Sequence, residues 1–564
     1  MVRFRIKFFV FILFILCTQF AGAQFKVLAD SISIFSDEFR TALQAEKSKR
    51  LKPDSLYQTG YQQNRLQFTQ KSMILLVADS LQEAARLSLQ YGNDTRNYKL
   101  PTEAYITNNV SLYSEGLTTI GKAKVMGKFY FDKMWEDSLA NNMSGQLQNG
   151  QPLTYLTPKA GKYERQNLRF EAGIAYPVWK SLYLNALVNY NYHWTTGSVD
   201  PRVEEKIFDA GFTPGFSYKI GNTVIGAGYL VGKKDGKFDI DYNNTTFATG
   251  QLFPERRYYI NQGYGYVAPI TSITFSPPGT ITLQRLLGLV IPAYNEYKVN
   301  QSGLVLSAAM QIHGWSLKAN YTNELSKRNN FNKTTVEDTV VIELTQSRYD
   351  LVTQKLQVLI TSNENKKAVH QLSFSGIINE GTSQMAHENG ANYLFDEHNA
   401  SLAYLLSIKK RNQVTNEFGL DGDLFHFFKK DYKQSVFYEN THLRVGVNAA
   451  TYLRSKENTL KIFIKPGLVL PVKNAIQIPQ SQLNIFTQNI AYPEYDFYGS
   501  IFISGRAGAT LFAPGWLKNM GSAVFANVAY QQKISDSDVD VKRFLPVAGK
   551  KNQLQLNIGF QVFL

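Results

Sequence analysis

The stretch Asn552–Leu564 reads Asn-Gln-Leu-Gln-Leu-Asn-Ile-Gly-Phe-Gln-Val-Phe-Leu. Side chains of a strand alternate between faces. Leu554, Leu556, Ile558, Phe560, Val562 and Leu564 therefore form one apolar wall, and Gln553, Gln555, Asn557, Gly559 and Gln561 form a polar one. The run matches the roughly 9–11 residues that a tilted strand needs to cross a bilayer. Phe563 falls on the polar face. A soluble sandwich can also end on such a strand, so repetition of the pattern along the chain has to decide.

The pattern recurs. In Ser181–Trp194, Leu182, Leu184, Ala186, Val188, Tyr190, Tyr192 and Trp194 share one face, and Asn185, Asn189, Asn191 and His193 share the other. Soluble strands average about 5–6 residues, and this one is far longer. Phe212–Ile220 turns at Gly221-Asn222 into Val224–Val231, and Gly303–Ile312 turns at His313-Gly314 into Trp315–Tyr321. Ala400–Ile408 turns through Lys409-Lys410-Arg411-Asn412 into Val414–Phe428. Between hairpins lie long polar stretches: Asp132–Gln166, Thr195–Ala210, Gly232 to Val290, Asn323–Thr353, Asn379–Asn399 and Val472–Asp496. Short turns on one side and long loops on the other describe a membrane barrel. A sandwich has no reason to segregate them. The expectation is an all-β, transmembrane, antiparallel up-and-down β-barrel of about 16–18 strands over residues 101–564, since both termini on one side require an even number.

Composition agrees. Aromatics are 13 % of the chain, with 33 Tyr and 37 Phe, yet mean hydropathy is slightly negative. No apolar block after the first residues is long enough for a helical span. The net charge of +15 fits loops near anionic headgroups. No nucleic-acid-binding signature accompanies it, so no nucleic-acid partner is expected.

Residues 1–23 read as a signal peptide: basic Arg3, Arg5 and Lys7, apolar Phe8–Leu16, then small Ala21-Gly22-Ala23. A lipid anchor on Cys17 is the weaker reading, because Leu16 stands where a lipobox carries a small residue. Cys17 is the one cysteine, so the exported chain would hold no disulfide or thiolate metal site. Residues 24–100 read as an extension with short helices, over Asp37–Arg50 and from the Asp79-Ser80 cap through Gln90, with Gly92-Asn93 as the stop. It would be a periplasmic extension, a partial plug or a lid. It is too short for the plug domain of a TonB-dependent receptor.

Candidate chemistry is sparse. His387, Glu388, Asp396, Glu397 and His398 sit in one expected outer loop and carry cation-ligating atoms, although a solvated polar loop is the favoured reading. His193, His426 and His442 lie in strands, at interfacial or luminal positions, without an evident acid–base partner. Tyr190, Tyr192 and Trp194, and Phe425, Phe427 and Phe428, read as aromatic girdle ahead of carbohydrate platforms. Lys366-Lys367, Lys409-Lys410-Arg411 and Lys550-Lys551 lie near turns, facing lipid phosphate or solvent. Neither a nucleophile elbow, a His-Glu-x-x-His nor a phosphate loop occurs. No enzyme, catalytic residue, metal or cofactor is expected.

Glu115-Gly116-Leu117 through Gly127-Lys128-Phe129-Tyr130-Phe131, together with the Leu554–Leu564 end, resembles an uncharacterised Gram-negative outer-membrane β-barrel family, a domain of unknown function. The resemblance implies a bacterial outer-membrane location, outer-membrane lipid and the barrel assembly machinery as partners, and company with a TonB-dependent receptor or surface lipoprotein. It implies no substrate and no site residue. Phe563-Leu564 departs from the terminal aromatic usual in such barrels. Two functions stay open: a channel or transporter for an unidentified small solute, motivated by the polar inner faces, and an accessory or scaffold barrel of a surface uptake or secretion complex, motivated by the long loops and the helical extension.

Overall fold

In the computed structural model, Asn552–Phe563 is a strand with a neighbour on each edge. Gly521–Lys533 pairs along one edge and Ala84–Arg96 along the other, with Leu87 opposite Val562 and Tyr91 opposite Ile558. The first strand of the wall thus meets the last. Eighteen antiparallel strands close into one ring, a number within the expected range. Closure satisfies every edge, which a bilayer demands because unpaired backbone groups cost several kcal/mol each there. The structure describes residues 55–563 apart from 80–82, 146–149, 245–246, 248–252, 270–292, 337–338, 387–389, 456, 515, 518–519 and 536–550. The signal peptide and the Asp37–Arg50 helix lie outside the described residues.

The two faces separate as the alternation requires. Leu554, Leu556 and Ile558 are 44–46 % exposed, whereas Asn557 between them is 7 % exposed. Leu87, Leu89, Phe216, Tyr218, Leu304, Leu306, Phe418 and Leu420 continue the exposed apolar belt around the ring. A belt of this extent needs lipid as its solvent. Turns fall where the hairpins predict. His313 and Gly314 have φ of 48° and 83°, and Arg411 and Asn412 have 52° and 62°. Positive φ at both central residues is the type I′ geometry that suits the right-handed strand twist.

Two expectations are corrected. The wall begins at Ala84, inside the stretch 24–100 assigned to the extension, and Ala84–Arg96 is a strand rather than the end of a helix. Asp79, Ser80 and Glu83 mimic a capping box, but pairing with a neighbour on both sides overrides that local signal. Gly92 is an inward strand glycine: a Cβ there would lie 2.1 Å from Asn109 Oδ1. The long loops are also largely strand. Trp315–Val336 and Thr339–Thr361 run 22 and 23 residues, well beyond the roughly 9–11 that cross a bilayer. The wall rises out of the membrane at that end, where water wets both faces and the apolar alternation that marks a strand fades.

Candidate functional site

The short-turn end of the bore holds three helices: α1 (Ser55–Gln58), α2 (Gly60–Thr69) and α3 (Met73–Ala78). In α3 the sequence Met-Ile-Leu-Leu-Val-Ala is apolar on every side, so it must be covered all round. Met73 through Val77 are indeed buried. Ser72 accepts the Ile74 N–H at 3.2 Å and starts the helix. At its other end the Lys124 ammonium donates to Leu76 O at 2.9 Å and Asp79 O at 2.7 Å, a cation at a helix C-terminus. The wall makes room with glycine. A Cβ on Gly173 would sit 2.2 Å from Met73 Sδ, and one on Gly226 would sit 2.9 Å from Ile74 Cγ2.

Asp79, just past α3, is the polar anchor. Its carboxylate pairs with Arg65 of α2 and with Lys318 of the wall. Thr69 Oγ1 donates to Asp79 Oδ2 at 2.8 Å. Burial alone would raise this carboxyl, but Lys318 and Arg65 outweigh it and hold it well below the usual carboxylate range. Arg65 reaches on to Glu364 in a short turn at 2.8 Å. At the start of α2 the Gly60 N–H donates to Glu417 Oε1 at 2.8 Å. Asn64 donates to Gln371 Oε1 at 2.8 Å, and Gln371 donates to Tyr61 O at 3.1 Å. Tyr57 of α1 stacks on Phe563, with ring centroids 5.1 Å apart. α3 packs against strand Leu182–Gly197, and Glu417 lies on Gln413–Asp431, nearly across the ring. The helices therefore lie across the bore. Residues 55–79 thus lie inside the ring, at its short-turn end.

The long-loop end is covered as well. Leu153–Leu156, Tyr259–Gln262 and Val267–Pro269 form a small separate sheet, and α4 (Tyr492–Tyr498) packs beside it in one aromatic cluster with Tyr264, Phe427 and Tyr438. Lys429 pairs with Glu494 of α4 at 2.9 Å, and Lys533 with Asp496 at 2.8 Å. Tyr155 stacks on Phe238 of the wall at 3.9 Å. Glu205 accepts from the Ser144 hydroxyl at 3.1 Å and from the Gly145 N–H, tying that loop to the wall.

The singled-out residues distribute as follows. His193 is luminal and buried, with Nδ1 at 2.6 Å from Asn167 Oδ1 and Nε2 at 2.6 Å from Thr195 Oγ1, so both ring nitrogens serve packing of the inner wall. His442 faces inward too, beside Phe425 and Tyr498. Asp396 and His398 pair at 2.8 Å on the outer face, with His426 beside His398. Glu397 alternates to the inner face, and His387 and Glu388 lie outside the described residues. The candidate cation set is thus split by strand alternation, and no metal-binding group occurs among the described residues. Tyr190 packs on the exposed Phe208 and Trp194 donates to Glu204, on the outer face. The girdle reading fails for Phe427, which is fully buried in the lid cluster, and for Phe425 beside it. They occupy odd positions of a strand whose even positions, Leu420 and Leu424, face lipid. Of the anchors, Lys318 and Glu417 are not singled out from sequence, and Asp79 reads there only as a helix cap. Charge alone does not mark them, because the same inner faces also carry Arg328, Lys429 and Asp431.

Residues 73–563 match a family of unknown function, DUF6850, from the first residue of α3 to the last of the closing strand. The chain belongs to DUF6850. The match takes α3 into the family unit along with the wall. No curated protein is similar in sequence. Among solved structures the chain is similar to the ferric preacinetobactin receptor BauA of Acinetobacter baumannii, at 10 % identity and a TM-score of 0.36 over 85 % of this chain and 79 % of that one. It is similar to the FrpB iron transporter of Neisseria meningitidis, at 10 % identity and 0.36 over 88 % and 82 %. CdiB of Acinetobacter baumannii matches at 10 % identity and 0.32, over 85 % of this chain and 60 % of its own length. At these scores the likeness carries no functional information.

Proposed function

We propose that this DUF6850 member is an outer-membrane channel or transporter for a small solute, closed at rest by its own residues 55–79. The short-turn end then faces the periplasm and the tall wall faces outside. One observation carries the reading. Residues 55–79 form a separate segment inside the ring, held by hydrogen bonds from Lys124 and Lys128 on one side and to Gln371 and Glu417 nearly opposite, so closure needs no narrowing of the wall. Such a segment can move while the polar inner wall stays in place. Conductance of the full chain in planar bilayers tests it. The wild type should be closed or open rarely, and Asp79→Asn and Lys318→Met should raise the open fraction. Absence of current from all three would count against transport. It would favour the scaffold reading, which the covering of both mouths supports. Co-purification under gentle extraction would then seek the partner, a receptor or a surface lipoprotein.

A further inference from the structure

Arg328 lies on the inner face of Trp315–Val336 and is only 8 % exposed. Its guanidinium sits 3.7 Å from the Tyr297 ring centroid, and its Nε donates to Asn330 Oδ1 at 2.8 Å. No carboxylate pairs with it among the described residues. Folded proteins pair the charges they bury, because an uncompensated one loses its hydration with nothing in exchange. Glu205, the nearby anion, is turned toward Ser144 and Gly145. Lys234, equally buried, adds a second positive field, with Asp209 close to it. The Tyr349 hydroxyl, in the same neighbourhood, is buried without a hydrogen-bond partner among the described residues.

Arg328 and the Tyr349 hydroxyl, on residues that pair across neighbouring strands, lack the same thing, an acceptor that carries negative charge. We propose that Arg328, with Tyr349, forms an oxyanion-binding subsite in the lumen, suited to a carboxylate or phosphate group of a solute. With Nε committed to Asn330, the two terminal nitrogens keep the planar fork that binds an oxyanion through two parallel hydrogen bonds. Tyr297 fixes the plane of that fork by stacking. The role as a solute site rests on the transport reading above, but binding is measured without passage, so a protein that binds and does not conduct faults only that reading.

Isothermal titration of the full chain in detergent tests the subsite, with sodium phosphate in one arm and sodium acetate in the other at fixed ionic strength. Each is repeated in Asp79→Asn, whose loosened helices ease entry. Saturable binding of either anion at one per chain is expected, and the arm that binds names the group. Arg328→Gln should weaken it about tenfold or more and Tyr349→Phe by a few-fold, while Arg411→Gln in an exposed turn leaves it unchanged. Should Arg328→Gln fail to assemble, judged by heat-modifiable mobility, Tyr349→Phe decides. Binding of neither anion in either background, or unaltered affinity in both site variants, overturns the proposal.

Discussion

The penultimate residue of the chain, Phe563, points into the barrel and lies against Tyr57 of the first helix at 5.1 Å between ring centroids. Phe563 is fully buried, and Tyr57 is 1 % exposed. The closing strand is therefore clamped from inside by the plug. Tyr57→Ala should lower the temperature at which the barrel loses its compact mobility in SDS electrophoresis, in line with the ~3–5 kcal/mol of large aromatic truncations. Tyr57→Phe should hold or raise that temperature, because the Tyr57 hydroxyl is buried without a partner among the described residues and removing such a group relieves about 1–3 kcal/mol. A drop for Tyr57→Phe would mean the hydroxyl is bonded.

Asp79 should make plug docking acid-sensitive. Its carboxyl is held low when docked, so it stabilises the docked state at pH above its undocked value near ~3.9. That contribution is lost only as pH falls through the lower docked value. Protease accessibility of residues 55–79 should be flat from neutral pH down to that range and rise below it. In Asp79→Asn, accessibility should already be high at pH 7, since leaving Lys318 buried without its partner costs ~3–5 kcal/mol. A wild-type transition near neutral pH would contradict the assignment.

Gly173 should be replaceable only if the plug yields. Gly173→Ala places its Cβ against Met73 and should weaken docking by ~1–3 kcal/mol. Combination with Met73→Ala should cost less than the two changes summed. Strict additivity would mean that the two sites do not touch.

Phe427 and Phe428 are adjacent and should behave oppositely. Phe427→Ala opens the lid cluster and should cost ~3–5 kcal/mol. Phe428→Ala, on the outer face beside Phe437, should cost much less. Thermal unfolding in detergent compares them, and equal losses would refute the face assignment.

The barrel was legible from Leu554 to Phe560, and from the His313-Gly314 and Arg411-Asn412 turns, because alternation and turn chemistry are local. What escaped was set by partners far along the chain. Ala84–Arg96 carries a capping signal that only its two flanking strands overrule. Phe427 looks like a girdle residue until Tyr438 and Tyr498 are placed around it. Asp79 is one acid among many until the fold brings Lys318 to it across 239 residues.

Because the ring is sealed where Ala84–Arg96 meets Asn552–Phe563, the wall cannot be finished until the final strand has been delivered. The helices precede the opening strand and are tethered to it. Lys124, in one of the earliest hairpins, already grips the end of α3, so the stopper can settle on a partial arc of wall while its side is still open. Biogenesis then needs no later threading of residues 55–79 through a finished pore, and the last strand to arrive shuts the door on cargo already aboard.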